Sequence, residues 1–123
     1  MATPIQGQVV ILPLNINVNQ LTVSTISTGI SVSVSANTNI LSTDYTPPQV
    51  GKIRLTFASN VSGVLSIVIT NGSVTYVYSL NGGSPLTAGS IYTFEIPVSP
   101  SYSYNIRYSY SAIVFYQIDF IPG

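Results

Sequence analysis

The sequence predicts an all-β chain, an antiparallel β-sandwich of about eight strands with jelly-roll or immunoglobulin-like topology. Three observations predict it. Apolar residues alternate with polar ones at period two along most of the chain, with no helical periodicity. The alternating runs are short and recur at roughly 8–12-residue intervals with Gly, Asn and Pro between them. At 123 residues the chain has the length of one domain, 1–123.

The runs can be taken in order. Leu12, Leu14, Ile16 and Val18 alternate with Pro13, Asn15 and Asn17 as in a half-buried strand. Leu21, Val23, Ile30, Val32 and Val34 continue the pattern, with a turn expected at Thr28–Gly29. Residues 1–45 carry no charge before Asp44 and are rich in Ser, Thr and Asn. They read either as edge strands or as an extended N-terminal arm that pairs with a neighbouring subunit's sheet edge. Asn37 to Val50 is a loop, because Pro47–Pro48 forbids a central strand. Ile53, Leu55 and Phe57 then point one way, and Lys52, Arg54 and Thr56 the other. Val64–Thr70 is the next strand, ending at Asn71–Gly72, where a type I′ turn with two positive φ angles is expected. Val74–Ser79 returns from it, Asn81–Gly83 and Pro85 break the chain, and Ile91–Val98 follows. Tyr102–Tyr110 alternates almost perfectly, and Val114, Tyr116, Ile118 and Phe120 mark the last strand.

Charge is the unusual quantity. Asp44, Lys52, Arg54, Glu95, Arg107 and Asp119 make up 5% of the chain and cancel to zero, with no histidine. Ordinary soluble domains carry about 25%. Ser and Thr fill roughly a quarter of the chain instead. A neutral surface offers little repulsion between copies, which suits a protein that associates. It also predicts indifference to acid, since acid unfolds proteins chiefly by protonating carboxylates. Three cations are too few to neutralise many phosphates, so no nucleic-acid partner is expected. Met1 to Leu14 lacks the basic start of a secretory signal, and no run approaches the roughly 20 apolar residues of a membrane helix.

The inventory argues against enzyme chemistry. Without histidine or cysteine, no serine–histidine–acid triad, cysteine nucleophile or thiolate metal site can be assembled. Only Asp44, Glu95 and Asp119 could form a carboxylate pair, and Glu95 and Asp119 fall opposite Phe94 and Phe120, facing solvent or a subunit contact. No catalytic residue, metal site or cofactor is expected. Lys52, Arg54, Glu95, Arg107 and Asp119 read either as solvated surface or as intersubunit contacts that fix register.

Tyr102, Tyr104, Tyr108 and Tyr110 share one face of one strand. That row can be core, a subunit interface, or an aromatic platform for a carbohydrate. Asn60 and Asn71 stand in glycosylation sequons. Several strands have two apolar faces: Val64, Val68 and Val77 fall opposite Leu65, Ile67, Ile69, Tyr76 and Tyr78, and Ile113 and Phe115 opposite Val114 and Tyr116. A sheet in a two-layer fold buries one face, so the other needs a cover: the N-terminal segment, further subunits or lipid.

The segment Leu80–Val98, with Gly82-Gly83-Ser84-Pro85 and Tyr92-Thr93-Phe94-Glu95-Ile96-Pro97, running on into Tyr104-Asn105-Ile106-Arg107-Tyr108, resembles β-sandwich virion proteins of hyperthermophilic archaeal viruses, particularly tail and capsid-accessory subunits of spindle-shaped viruses. The resemblance covers the last third of the chain and is one of pattern. It implies a structural protein of an extracellular particle that forms a ring, tail or shell with copies of itself and other virion proteins, in some cases against a lipid envelope. The family carries no catalytic motif to transfer. The chain departs from hyperthermophile cytosolic proteins, which gain Lys and Glu; low charge fits an acid-exposed particle better. Two other expectations stand beside this one: a module binding carbohydrate or a host surface through the tyrosine row, and a surface-filament subunit joined by strand donation.

Overall fold

The computed structural model describes residues 22–123. They form seven strands and no helix: β1 (Ser24–Ser33), β2 (Gly51–Ala58), β3 (Leu65–Thr70), β4 (Thr75–Ser79), β5 (Ile91–Val98), β6 (Ser103–Tyr108) and β7 (Ala112–Pro122). The Leu12–Val18 run lies outside the described residues. Two antiparallel sheets result, one ordered β1-β7-β2-β5 and the other β4-β3-β6. Their facing sides share one core of Ile53, Leu55, Phe57, Leu65, Ile67, Ile106, Tyr108, Ile118 and Phe120. Phe57 from one sheet meets Tyr108 from the other at 4.8 Å between ring centroids. The all-β, antiparallel character predicted from alternation is therefore present.

Alternation and register together write the four-stranded sheet as rungs. Ser24–Phe120–Ile53–Ile96, Ser27–Ile118–Leu55–Phe94 and Gly29–Tyr116–Phe57–Tyr92 face the other sheet. Between them lie the outward rungs: Thr25–Asp119–Arg54–Glu95, Thr28–Gln117–Thr56–Thr93, and Ile30–Phe115–Ala58–Ile91. The outer face thus runs from a charged rung through a neutral polar one to an apolar one. A one-residue slip of β7 would carry Phe120 and Ile118 out of the core, so the register is strongly specified.

Two expected turns form differently. No turn interrupts β1 at Thr28–Gly29: a Cβ on Gly29 would lie 2.5 Å from Tyr116 Cε1, so this glycine makes room for a ring across the strand pair. After β3, Gly72 has φ of 95° but Asn71 does not take positive φ. The connection is a four-residue loop closed by Asn71 N–H donating to the Val74 carbonyl. The Asn71 side chain shapes it, Oδ1 accepting from the N–H groups of Ser73 (3.0 Å) and Val74 (2.9 Å).

Residues 34–50 are irregular, as Pro47–Pro48 dictate, yet they run along the outer edge of β6. The N–H groups of Asn37, Ile40 and Tyr45 donate to the carbonyls of Tyr108, Ile106 and Tyr104. Asn105, 2% exposed, pins this segment: Oδ1 accepts from Leu41 N–H, and Nδ2 donates to the Leu41 carbonyl and to Asp44 Oδ1 at 2.7 Å.

Candidate interaction surface

Four of the six charges meet on the outer face of the four-stranded sheet. Lys52 Nζ lies 3.0 Å from Glu95 Oε1, both side chains about half exposed, at 44% and 48%. Arg54 Nη2 donates to Asp119 Oδ2 at 3.4 Å. Asp119 is 4% exposed, and its carboxylate also accepts from Thr25 Oγ1 at 2.9 Å and Gln117 Nε2 at 3.1 Å. The expectation that Asp119 faces solvent or a second subunit is corrected: the side chains of its own and neighbouring rungs cover it. Arg107 stands apart on β6, its Nε donating to Asn39 Oδ1 at 2.7 Å. Among the described residues no group of three or more His, Cys, Asp and Glu side chains is gathered as a metal would need.

The tyrosine row is not one surface. Tyr104 and Tyr108 are 4% and 0% exposed, because β6 faces β2 and β7 across the core. Tyr108 donates its hydroxyl to the Val61 carbonyl, and Tyr104 accepts from Ser99 N–H. Only Tyr102 and Tyr110, at the two ends, are exposed. A flat platform of four rings is therefore absent from this strand. The sequon residues Asn60 and Asn71 are both exposed.

The large apolar side chains left open lie on both sheets. Ile30 and Ile91, 76% and 74% exposed, stand at the two ends of the apolar outer rung, with half-buried Phe115 and buried Ala58 between them. On the other sheet, Tyr76 (46%), Val77 (49%) and Tyr78 (54%) put apolar groups on both faces of β4. Tyr76 and Tyr78 stack at 6.1 Å with an interplanar angle of 18°. Of the residues expected to need a cover, Val68 is buried within the described chain, whereas Val77 and Val114 are open. Around the core, the space among Leu41, Ile53, Ile67, Tyr104, Ile106 and Ile118 is filled, with no room for a water molecule.

Two tyrosines have perturbed acidity. Burial raises the Tyr45 hydroxyl above its ordinary 10.0, since the phenolate is disfavoured there. Hydrogen bonds from Thr87 lower Tyr92, the Thr87 N–H donating to its hydroxyl oxygen at 2.8 Å.

The described residues thus form an all-β domain with apolar side chains open on both sheets. No family model, curated protein or solved structure matches it.

Proposed function

We propose that this chain is a structural subunit of a virion, a jelly-roll sandwich that assembles with further copies of itself and other particle proteins through its apolar sheet surfaces. The observation that carries the reading is the open apolar surface on both sheets, Ile30 and Ile91 on one and Tyr76, Val77 and Tyr78 on the other, in a chain with three cations and three anions. Contiguous apolar surface of this kind marks interaction sites, and neutral copies do not repel one another.

The strand order supports the jelly-roll reading. The segment bridging to β6 at Asn39–Arg107 and Tyr45–Tyr104 occupies the place of an eighth strand. Counted so, one sheet runs first, eighth, third, sixth and the other fifth, fourth, seventh, second. That order is the one expected of two interleaved Greek keys, an architecture common in viral capsid domains. The resemblance of the last third to virion proteins, and a composition nearly silent to acid, point the same way.

The test is the size distribution of the full chain from micromolar to millimolar concentration by native mass spectrometry and light scattering, with electron microscopy of concentrated samples. Discrete multimers and rings, tubes or shells are expected. A strictly monomeric protein that captured glycans on an array would overturn the reading in favour of a binding module.

A further inference from the structure

Among the described residues the two sheets have four edges, and three are blocked. β1 is broken by a bulge between Thr25 and Ser27 and by Ser31 at φ of 53°. β5 carries Glu95 and Pro97, the latter without an N–H to offer. β6 is covered by residues 37–45. β4 has none of these devices: Thr75-Tyr76-Val77-Tyr78-Ser79 has no charge and no proline, and pairs with β3 without a bulge. Among the described residues β3 is its only strand partner.

The hydrogen bonds at the two ends of β4 fix which way its backbone groups point. Leu80 N–H donates to the Leu65 carbonyl, and the Val74 carbonyl accepts from Asn71 N–H, so the even-numbered residues turn their groups towards β3. In an antiparallel pair these groups alternate. Thr75, Val77 and Ser79 therefore turn their N–H and C=O groups outward. Three residues spaced by two, centred on Val77, form a self-complementary set.

We propose that β4 is the contact through which two copies of this chain join, antiparallel, with the two-fold axis passing between Val77 and Val77 of the second copy. The proposal rests on the assembly reading above and names the surface that carries it. In this register Val77 exchanges two hydrogen bonds with its counterpart, and Thr75 and Ser79 exchange bonds with Ser79 and Thr75 of the second copy. The outward groups of all three residues are used. Tyr76 falls opposite Tyr78 of the second copy in the close, non-hydrogen-bonded pairing, where Cα atoms approach to about 4.5 Å. The stacked pair on each copy thus extends into a four-ring cluster on one face, while the two Val77 side chains meet on the other. The sheets merge into one of six strands, and the contact closes on itself because both copies use the same surface. No charged or kinked residue stands in β4 to oppose the register, and the sequence offers no reason for a charged partner to prefer it.

The experiment uses the full chain with Val77→Lys and Val77→Glu. Val77 is half exposed, so both variants should fold, with melting temperatures within about 2 °C of the parent. Each alone places two like charges across the axis and should weaken the two-fold contact at least about a hundredfold, read by native mass spectrometry on dilution. Mixing the two should restore it, since Lys then faces Glu. Unchanged assembly of Val77→Lys would overturn the proposal while leaving self-association intact. Loss in both variants without restoration on mixing would also overturn it, assigning the edge to a different segment of a neighbouring copy. A monomeric parent chain would remove the assembly reading itself. Should the variants misfold, hydrogen exchange on the parent decides: the amides of Thr75, Val77 and Ser79 should be protected in the dimer and released on dilution, and equal exchange at both concentrations would refute the contact.

Discussion

Arg54→Met probes whether the charged rung locks the four-stranded sheet. Arg54 sits on β2 directly between Glu95 on β5 and Asp119 on β7, so its loss removes the cation from a rung that spans three strands and leaves Asp119 without its ion pair. Methionine keeps most of the apolar stem that covers neighbouring residues and removes the guanidinium. The Asp119 side chain is 6% exposed and Arg54 is its only cationic partner among the described residues, though at 3.4 Å the contact is longer than an ideal charge-assisted bond. Hydrogen bonds to charged groups contribute about 1.5–3 kcal/mol. The long contact and the three remaining bonds from Thr25 and Gln117 argue for the lower end, about 1.5 kcal/mol. For a domain of this size that lowers the melting temperature by about 4–8 °C. The assay is a double-mutant cycle with Asp119→Asn, in which the double variant should recover at least about 1 kcal/mol of the summed cost. The pair Lys52–Glu95 is the control, with coupling below about 0.5 kcal/mol because both groups are well solvated. Coupling of the Arg54–Asp119 pair no larger than this control would refute the lock.

Three further outcomes follow from the same packing. Gly63→Ala should destabilise by about 1–3 kcal/mol in a urea melt, because its Cβ would lie 2.6 Å from Tyr110 Cδ2 and 2.9 Å from Tyr108 Cζ. Above pH 10 the parent should lose stability as Tyr45 is forced to ionise: its folded pKa is raised, so the stabilisation is full below 10.0 and is lost as pH rises through the folded value. Tyr45→Phe should flatten that alkaline decline in thermal melts from pH 8 to 11, and an unchanged slope would assign it elsewhere. In acid, the melting temperature should fall little between pH 7 and about 3, since the chain has three acidic side chains and no histidine; a steep drop would show that ionised carboxylates hold the fold together.

Where one face of a strand had to be apolar, the sequence was easy to read. Ile91–Val98 has the bounds expected, and Ile53, Leu55 and Phe57 point inward as their spacing required. Strand order was not legible, because it depends on which alternating runs meet at distances of tens of residues, and every run here has similar chemistry. The tyrosine row misled for the same reason: Tyr104 and Tyr102 have identical local patterns, and only the position of the facing sheet buries one and exposes the other. Asn105 carries a weak sequence signal, an amide on the face opposite Tyr104 and Ile106. Its role needs the 37–45 segment beside it, a pairing no local pattern announces. Gly29 looked like a turn because glycine has two uses, and the Tyr116 ring that decides between them lies 87 residues away in the chain.

Scarcity of charge changes what the edges must do. Most sheet proteins keep their edges apart with Lys and Glu. Among the residues of this chain's edge strands, only Glu95 is ionised apart from Arg107 on the covered strand β6. Separation must then come from geometry, and geometry supplies it three times: a bulge and a left-handed serine in β1, a proline in β5, and a bridging segment over β6. These devices cost regular pairing wherever they act. Among the described residues, three edges use such devices and the fourth is straight, neutral and apolar on both faces, which directs strand pairing between copies to that edge and leaves further contacts to the apolar faces. Neutrality lets copies approach, and the blocked edges restrict how they join. For a subunit of an ordered particle both conditions are needed, because unrestricted edge pairing between neutral sheets leads to open-ended aggregation rather than a closed contact.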